Sequence, residues 1–180
     1  WNKDKNNLDI NMDAIQLQHE RAVGEQFVEW LNKRDGSRFS FYHREKEAPD
    51  LVYSDGNHIL RLEVVGAYYD PNHARWLWAS ARKLPNAPVS WSGVNFDRAL
   101  LHDIERQIQK KCNLSYGSNC VLLVSVSPPL TSAKDTDKLL SDIVLPDRIP
   151  FDGVFLTGEF PTSSHSKGGY YVWPLKDLSG

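Results

Sequence analysis

The sequence predicts an α/β domain in the order helix, three strands, helix, strand, followed by a smaller mixed extension. Three stretches carry that expectation. Val23, Phe27, Trp30 and Leu31 form an apolar stripe at helical spacing, stopped by Asp35-Gly36. Leu51–Tyr53 and Ile59–Val65 flank Ser54-Asp55-Gly56-Asn57. Asp-Gly between β-rich segments is a strong hairpin signal, because such turns need positive φ. Cys120–Val126 is an unbroken apolar run of the length of a buried strand.

Taken in order, residues 1–11 are polar and rich in Asn, Lys and Asp, and are expected as a loose lead-in. Helical patterning runs from Met12 to Lys33. Glu20 lies on the inward stripe of that helix, whereas Glu25 and Glu29 are rotated away from it. Arg38–His43 alternates with aromatic residues and reads as the first strand. In the third strand a period of two places Ile59, Arg61, Glu63 and Val65 on one face and Leu60, Leu62 and Val64 on the other. Both faces are largely apolar, as in a central strand covered on each side. Asp70–Asn95 has no clean period, contains Pro71, Pro85 and Pro88, and reads as a functional insertion. A helix is expected from about Asn95 to Cys112, with Ile104, Gln107, Ile108 and Lys111 along one stripe. The extension is expected to hold a short helix over Asp135–Ser141 and strands over Gly153–Thr157 and Tyr170–Trp173. A Ser/Gly-rich loop from Pro161 to Gly169 separates those strands. With no repeat visible, residues 1–180 read as one domain, with a core over about 12–126 and the extension over 127–180.

A chain of 180 residues with 41% hydrophobic content is long enough to bury a full core. No apolar run approaches the roughly 20 residues needed to cross a bilayer. A net charge of −2 and a pI near 6.3 do not advertise a nucleic-acid-binding protein. An acidic metal site, however, offsets basic patches in that sum. Cys112 and Cys120, the two cysteines, match no zinc spacing; free thiols and a local disulfide both fit them. No secretory signal is visible, and a cytoplasmic location is expected. The six histidines form no HExxH or other metal spacing.

Two acids stand out. Asp50 follows Pro49 at the start of the hairpin, and Glu63 lies inside an apolar strand, where a charge without a partner is costly. A shared divalent cation would be a sufficient partner. A helix carrying an inward Glu20, then Pro49-Asp50, a hairpin into Glu63-Val64-Val65, then helix and strand, resembles the PD-(D/E)XK nuclease superfamily, whose members include restriction endonucleases and repair nucleases. The resemblance covers about Met12 to Val126. It implies a restriction-endonuclease-like αβββαβ core, a central mixed sheet flanked by helices, with a C-terminal β extension.

The family's motif lysine should stand two residues after Glu63, where this chain has Val65. Some members supply an equivalent from the next helix, and Lys111 is the candidate, with Lys110 as the fallback. The resemblance therefore implies a Mg²⁺- or Mn²⁺-dependent endonuclease or exonuclease acting on nucleic acid, DNA in the first instance. Asp50 and Glu63, with the Val64 carbonyl, would be metal ligands. Glu20 would hold a water or second ion, Lys111 would orient the attacking water, and Gln107 would position a partner. Arg75, Trp76, Trp78, Arg82 and Lys83 combine cations with aromatic faces that can track a phosphate backbone and stack on bases. Monomer and homodimer are both open.

Each residue also has a plainer reading. Asp50 is a natural turn residue, and Glu63 can pair with Arg44 as a structural salt bridge. Glu20 and Lys111 suit the two poles of their helices, and the tryptophans can simply cover the core. With Val65 in the lysine position, the alternative is a catalytically inactive nuclease-fold module that binds nucleic acid or a protein partner. An unrelated α/β domain with structural acids is the third reading.

Overall fold

The computed structural model describes residues 2–45, 47–81, 95–126, 131–162 and 168–178, and their side chains except at 2–13, 71 and 96. Helix α1 (Asn2–Asp35) begins well before the expected start at Met12. The lead-in contains neither Gly nor Pro, so nothing stops the helix set by the apolar stripe from propagating backwards through it. At the other end Gly36 takes φ 69°, the left-handed conformation in which helices commonly terminate. Strands β1 (Ser40–Arg44), β2 (Leu51–Ser54) and β3 (Ile59–Ala67) follow. In the β2–β3 turn Gly56 has φ 96°, and Asp55 Oδ1 accepts from the amides of Asn57 and His58, both at 2.8 Å.

The insertion departs from expectation. Pro71–Ala81 is a helix, α2. Asp70 Oδ1 accepts from the His73 amide at 2.7 Å, so Asp70 caps the helix and Pro71 occupies its first position, where a missing N–H costs nothing. Helix α3 (Phe96–Cys112) and strand β4 (Cys120–Val126) lie where the sequence places them. Helix α4 (Ala133–Leu140) and strands β5 (Gly153–Pro161) and β6 (Gly168–Lys176) complete the chain, the strands longer than expected. Cys112 and Cys120 are both free thiols. Burial, with the nearby charge of Glu63, pushes the Cys120 thiol up to about 12. Among the described residues no helix is long and apolar enough to cross a membrane.

The strands form one six-stranded mixed sheet in the order β1-β2-β3-β4-β5-β6. β1, β2 and β3 are antiparallel, β3, β4 and β5 parallel, and β6 antiparallel to β5. The period of two sorts the core into two layers. On one face Val23, Phe27, Val28 and Leu31 of α1 pack on Leu60, Leu62, Val64, Val121 and Leu123. On the other Leu100, Ile104 and Ile108 of α3 pack on Leu122, Val124 and Leu156, with Val65 half-buried against them.

The first layer is tight. A methyl group at Gly24 would lie 2.5 Å from Leu51 Cδ1 and 2.8 Å from Tyr53 Oη, and both neighbours are buried. Gly24→Ala is therefore expected to destabilise the protein by about 1–3 kcal/mol, the usual cost of overpacking. That exceeds the gain of about 1 kcal/mol that alanine brings to a helix interior. Urea unfolding of the two proteins measures the difference, and an alanine variant at least as stable as the parent would contradict the close approach.

Candidate active site

The ladder between β2 and β3 stops at a particular rung. Leu51 pairs with Leu62 and Tyr53 with Leu60; one step further along that register, Val64 would face Pro49. Proline has no N–H to donate to the Val64 carbonyl, so that rung cannot form in full. The Val64 amide donates instead to Asp50 Oδ2 at 2.9 Å. A strand residue sends its N–H and C=O to the same side, so the Val64 carbonyl also faces the Asp50 side. From Glu63 to Ala67, β3 pairs with β4 on one edge and has left β2 behind on the other.

Glu63 projects from β3 toward α3. It is 2% exposed. Its Oε1 accepts from Lys111 Nζ at 2.5 Å and from the Tyr116 hydroxyl at 3.2 Å. Its Oε2 is buried with no hydrogen-bond partner among the described residues. Lys111 reaches it because Ile104, Ile108 and Lys111 share the inward stripe of α3, so the packing that buries the isoleucines aims the ammonium at β3. Tyr116 is a partner the sequence did not reveal. It sits in the α3–β4 connection, its ring 4.5 Å from that of Phe151, and burial together with the Glu63 charge raises its hydroxyl well above the usual range.

Asp50 completes the group. Burial, and next the charge of Glu63, push its carboxyl up to about 6 against the pull of the Val64 amide; Glu20 raises it further and Lys111 lowers it. Glu20 is inward and buried as expected, yet both its oxygens are engaged: Oε2 by Arg44 Nη2 at 2.6 Å and Oε1 by Gln16 Nε2 at 2.8 Å. Arg44 thus pairs with Glu20 rather than Glu63, and its Nη2 stands 3.7 Å from Asp50 Oδ1. The guanidinium links the acid of α1 to the acid of the hairpin.

Other expected residues stand apart. Gln107 is buried on α3, but its Nε2 lies 3.4 Å from Asp103 Oδ2, whose carboxylate also accepts from the Tyr68 amide. Gln107 is thereby tied to a residue one turn away on α3 itself rather than to Asp50 or Glu63. On α2, Arg75 is exposed, while Trp76 and Trp78 are half-buried. The Trp78 indole N–H donates to the Tyr68 hydroxyl at 3.0 Å and its ring meets His19 edge-on at 5.9 Å, so this tryptophan helps close the space between α2 and the sheet. Arg82 and Lys83 lie outside the described residues.

Among the described residues no three His, Cys, Asp or Glu side chains form a ready metal-ligand group. The available donors are the Asp50 carboxylate, Glu63 Oε2 and the Val64 carbonyl. This all-oxygen set suits a hard cation that keeps several waters, as Mg²⁺ does. The unpartnered buried oxygen of Glu63 is the observation that fits a cation there. No protein-family model, curated protein or solved structure matches the chain.

Proposed function

We propose that the chain is a divalent-metal-dependent nuclease that hydrolyses phosphodiester bonds in DNA, a divergent member of the PD-(D/E)XK superfamily with a restriction-endonuclease-like core. The observation that carries this reading is the convergence of Asp50, Glu63 and Lys111 at the point where β3 parts from β2, with one Glu63 oxygen buried and unpartnered among the described residues. The order of elements supports it, with α2 as an insertion between β3 and α3.

In this reading Asp50, Glu63 Oε2 and the Val64 carbonyl would hold Mg²⁺ or Mn²⁺, which would supply charge neutralisation at the phosphate and a more acidic water. The protein's own groups do the rest. Lys111 carries three donors; one goes to Glu63 Oε1, and another is free to orient the attacking water or a phosphate oxygen. Tyr116 holds the same Glu63 oxygen, fixing the carboxylate so that Oε2 stays directed at the site. Arg44 holds Glu20 in place and screens Asp50. Val65 is free to pack in the core because the cation arrives from α3 instead.

The inactive-module reading has one observation in its favour. Arg44 and Lys111 between them already balance Glu20 and Glu63 without a metal. Calorimetric titration with Mg²⁺ and Mn²⁺ separates the two. Binding at millimolar metal or tighter, lost in Asp50→Ala and accompanied by cleavage of plasmid or oligonucleotide DNA, is the expected result. No heat of binding and no cleavage at about 10 mM metal, roughly tenfold above the weakest protein calcium sites, would leave the module.

A further inference from the structure

A cavity of about 150 Å³ lies beside the candidate site, on the α1 face of the sheet. Its floor is the paired Gly66 of β3 and Ser125 of β4. Among the described residues its walls include His19 of α1, Tyr68, and Leu77 and Trp78 of α2. The floor is low because residue 66 lacks a side chain: a Cβ there would fall 2.5 Å from the Tyr68 hydroxyl. Cavities of this volume accept one six-membered planar ring. Polar and aromatic groups are mixed in the lining, so it differs from a packing defect among aliphatic side chains. Burial, the larger effect, lowers the His19 pKa against the pull of Glu20 and so favours the neutral ring, which has one donor and one acceptor.

Position supplies the ligand class. Gly66 lies on the stretch of β3 that carries Glu63 and the Val64 carbonyl, its Cα about 10 Å from that of Glu63 at the usual rise of a strand; its open side faces α1, across the edge of β3 from the Glu63 carboxylate, which faces α3. His19 directly precedes Glu20 on α1. A polynucleotide with a phosphate at Asp50, on the edge where β3 has parted from β2, therefore passes a neighbouring nucleotide around that edge toward the cavity. We infer that the cavity is a nucleobase pocket, pyrimidine in size, that takes one unstacked base of the substrate between α1 and α2. The inference rests on the nuclease reading for the identity of its ligand. It narrows the substrate to DNA with an unpaired or easily extruded base next to the scissile phosphate, since a stacked, paired base cannot enter such a pocket.

The test uses the full chain without metal and does not read cleavage. Saturation-transfer NMR with thymidine 5′-monophosphate is expected to transfer magnetisation chiefly to the thymine H6 and methyl protons, and less to the sugar. Affinity should be at least tenfold tighter than for deoxyribose 5-phosphate. Ser125→Leu, which fills the cavity from its floor, should weaken it at least tenfold, and Leu77→Trp does the same from the wall if the first variant does not fold. Equal affinity for deoxyribose 5-phosphate, or thymidine monophosphate binding unchanged in a folded filling variant, overturns the pocket. Either result can occur in a protein that still cuts DNA, in which case the nuclease reading stands without it. If base binding appears and cleavage does not, the pocket stands and the catalytic reading fails.

Discussion

Glu63→Gln is expected to reduce metal-dependent cleavage by about a thousandfold or more while leaving the protein folded. The amide has the shape of the carboxylate and keeps an acceptor for Lys111 Nζ and the Tyr116 hydroxyl. What it removes is the charge on the oxygen that has no partner among the described residues. A metal's contribution to transition-state charge stabilisation is several kcal/mol, and each 1.4 kcal/mol is about tenfold in rate. Stability should change little, because Lys111 is 19% exposed and can be solvated once its partner is neutral. Initial cleavage rates and thermal unfolding of both proteins check the two halves. Activity within tenfold of the parent would remove Glu63 from the mechanism.

Asp50→Asn is expected to make the metal-free protein more stable at neutral pH, an unusual sign for a change in a buried site. Burial pushes the folded carboxyl up to about 6, against 3.8 for a free aspartate, so the native state binds this proton more tightly than the unfolded chain. Stability from this group is therefore full below about pH 4 and is lost as pH rises toward 6. A shift of about two units corresponds to about 3 kcal/mol. Asparagine mimics the protonated form, and its Oδ1 can still accept from the Val64 amide. The variant should thus match the parent near pH 4 and exceed it by up to about 3 kcal/mol at pH 7. Adding Mg²⁺ at pH 7 should stabilise the parent by mass action and leave the variant unchanged. Urea unfolding at pH 4, 5, 6 and 7, with and without metal, provides the measurement. A stability difference independent of pH would show that Glu63 and burial do not strain Asp50 in this way.

The parts of this site written in short-range pattern were readable in the chain. Asp55-Gly56 marks the turn because a residue with positive φ is needed there, and Gly56 has it. The inward aim of Lys111 follows from the helical stripe through Ile104 and Ile108, and the face of Glu63 from the strand alternation with Val65, although the ion pair between them was not expected. Patterns that depend on context were not readable. Pro71 looks like a breaker and is a helix start, because only the Asp70 cap distinguishes the two. Arg44 was a candidate partner for Glu63 and turned to Glu20, a choice made by tertiary geometry that leaves no trace in spacing. Tyr116 carries no periodic signal at all, being one aromatic residue in a connection. The best available clue was its place between the helix that ends near Lys111 and the strand that packs beside Glu63.

Pro49 acts as a zip stop. Any residue with an amide hydrogen at that position could form one more rung with β3, and the Val64 carbonyl would be sealed inside an ordinary sheet. Two neighbouring residues thus divide the work between them. The imino acid holds the seam open, and the acid beside it keeps the exposed amide of Val64 from going unanswered. The gap between Asp50 and Val64 is a place where the sheet was kept from finishing itself.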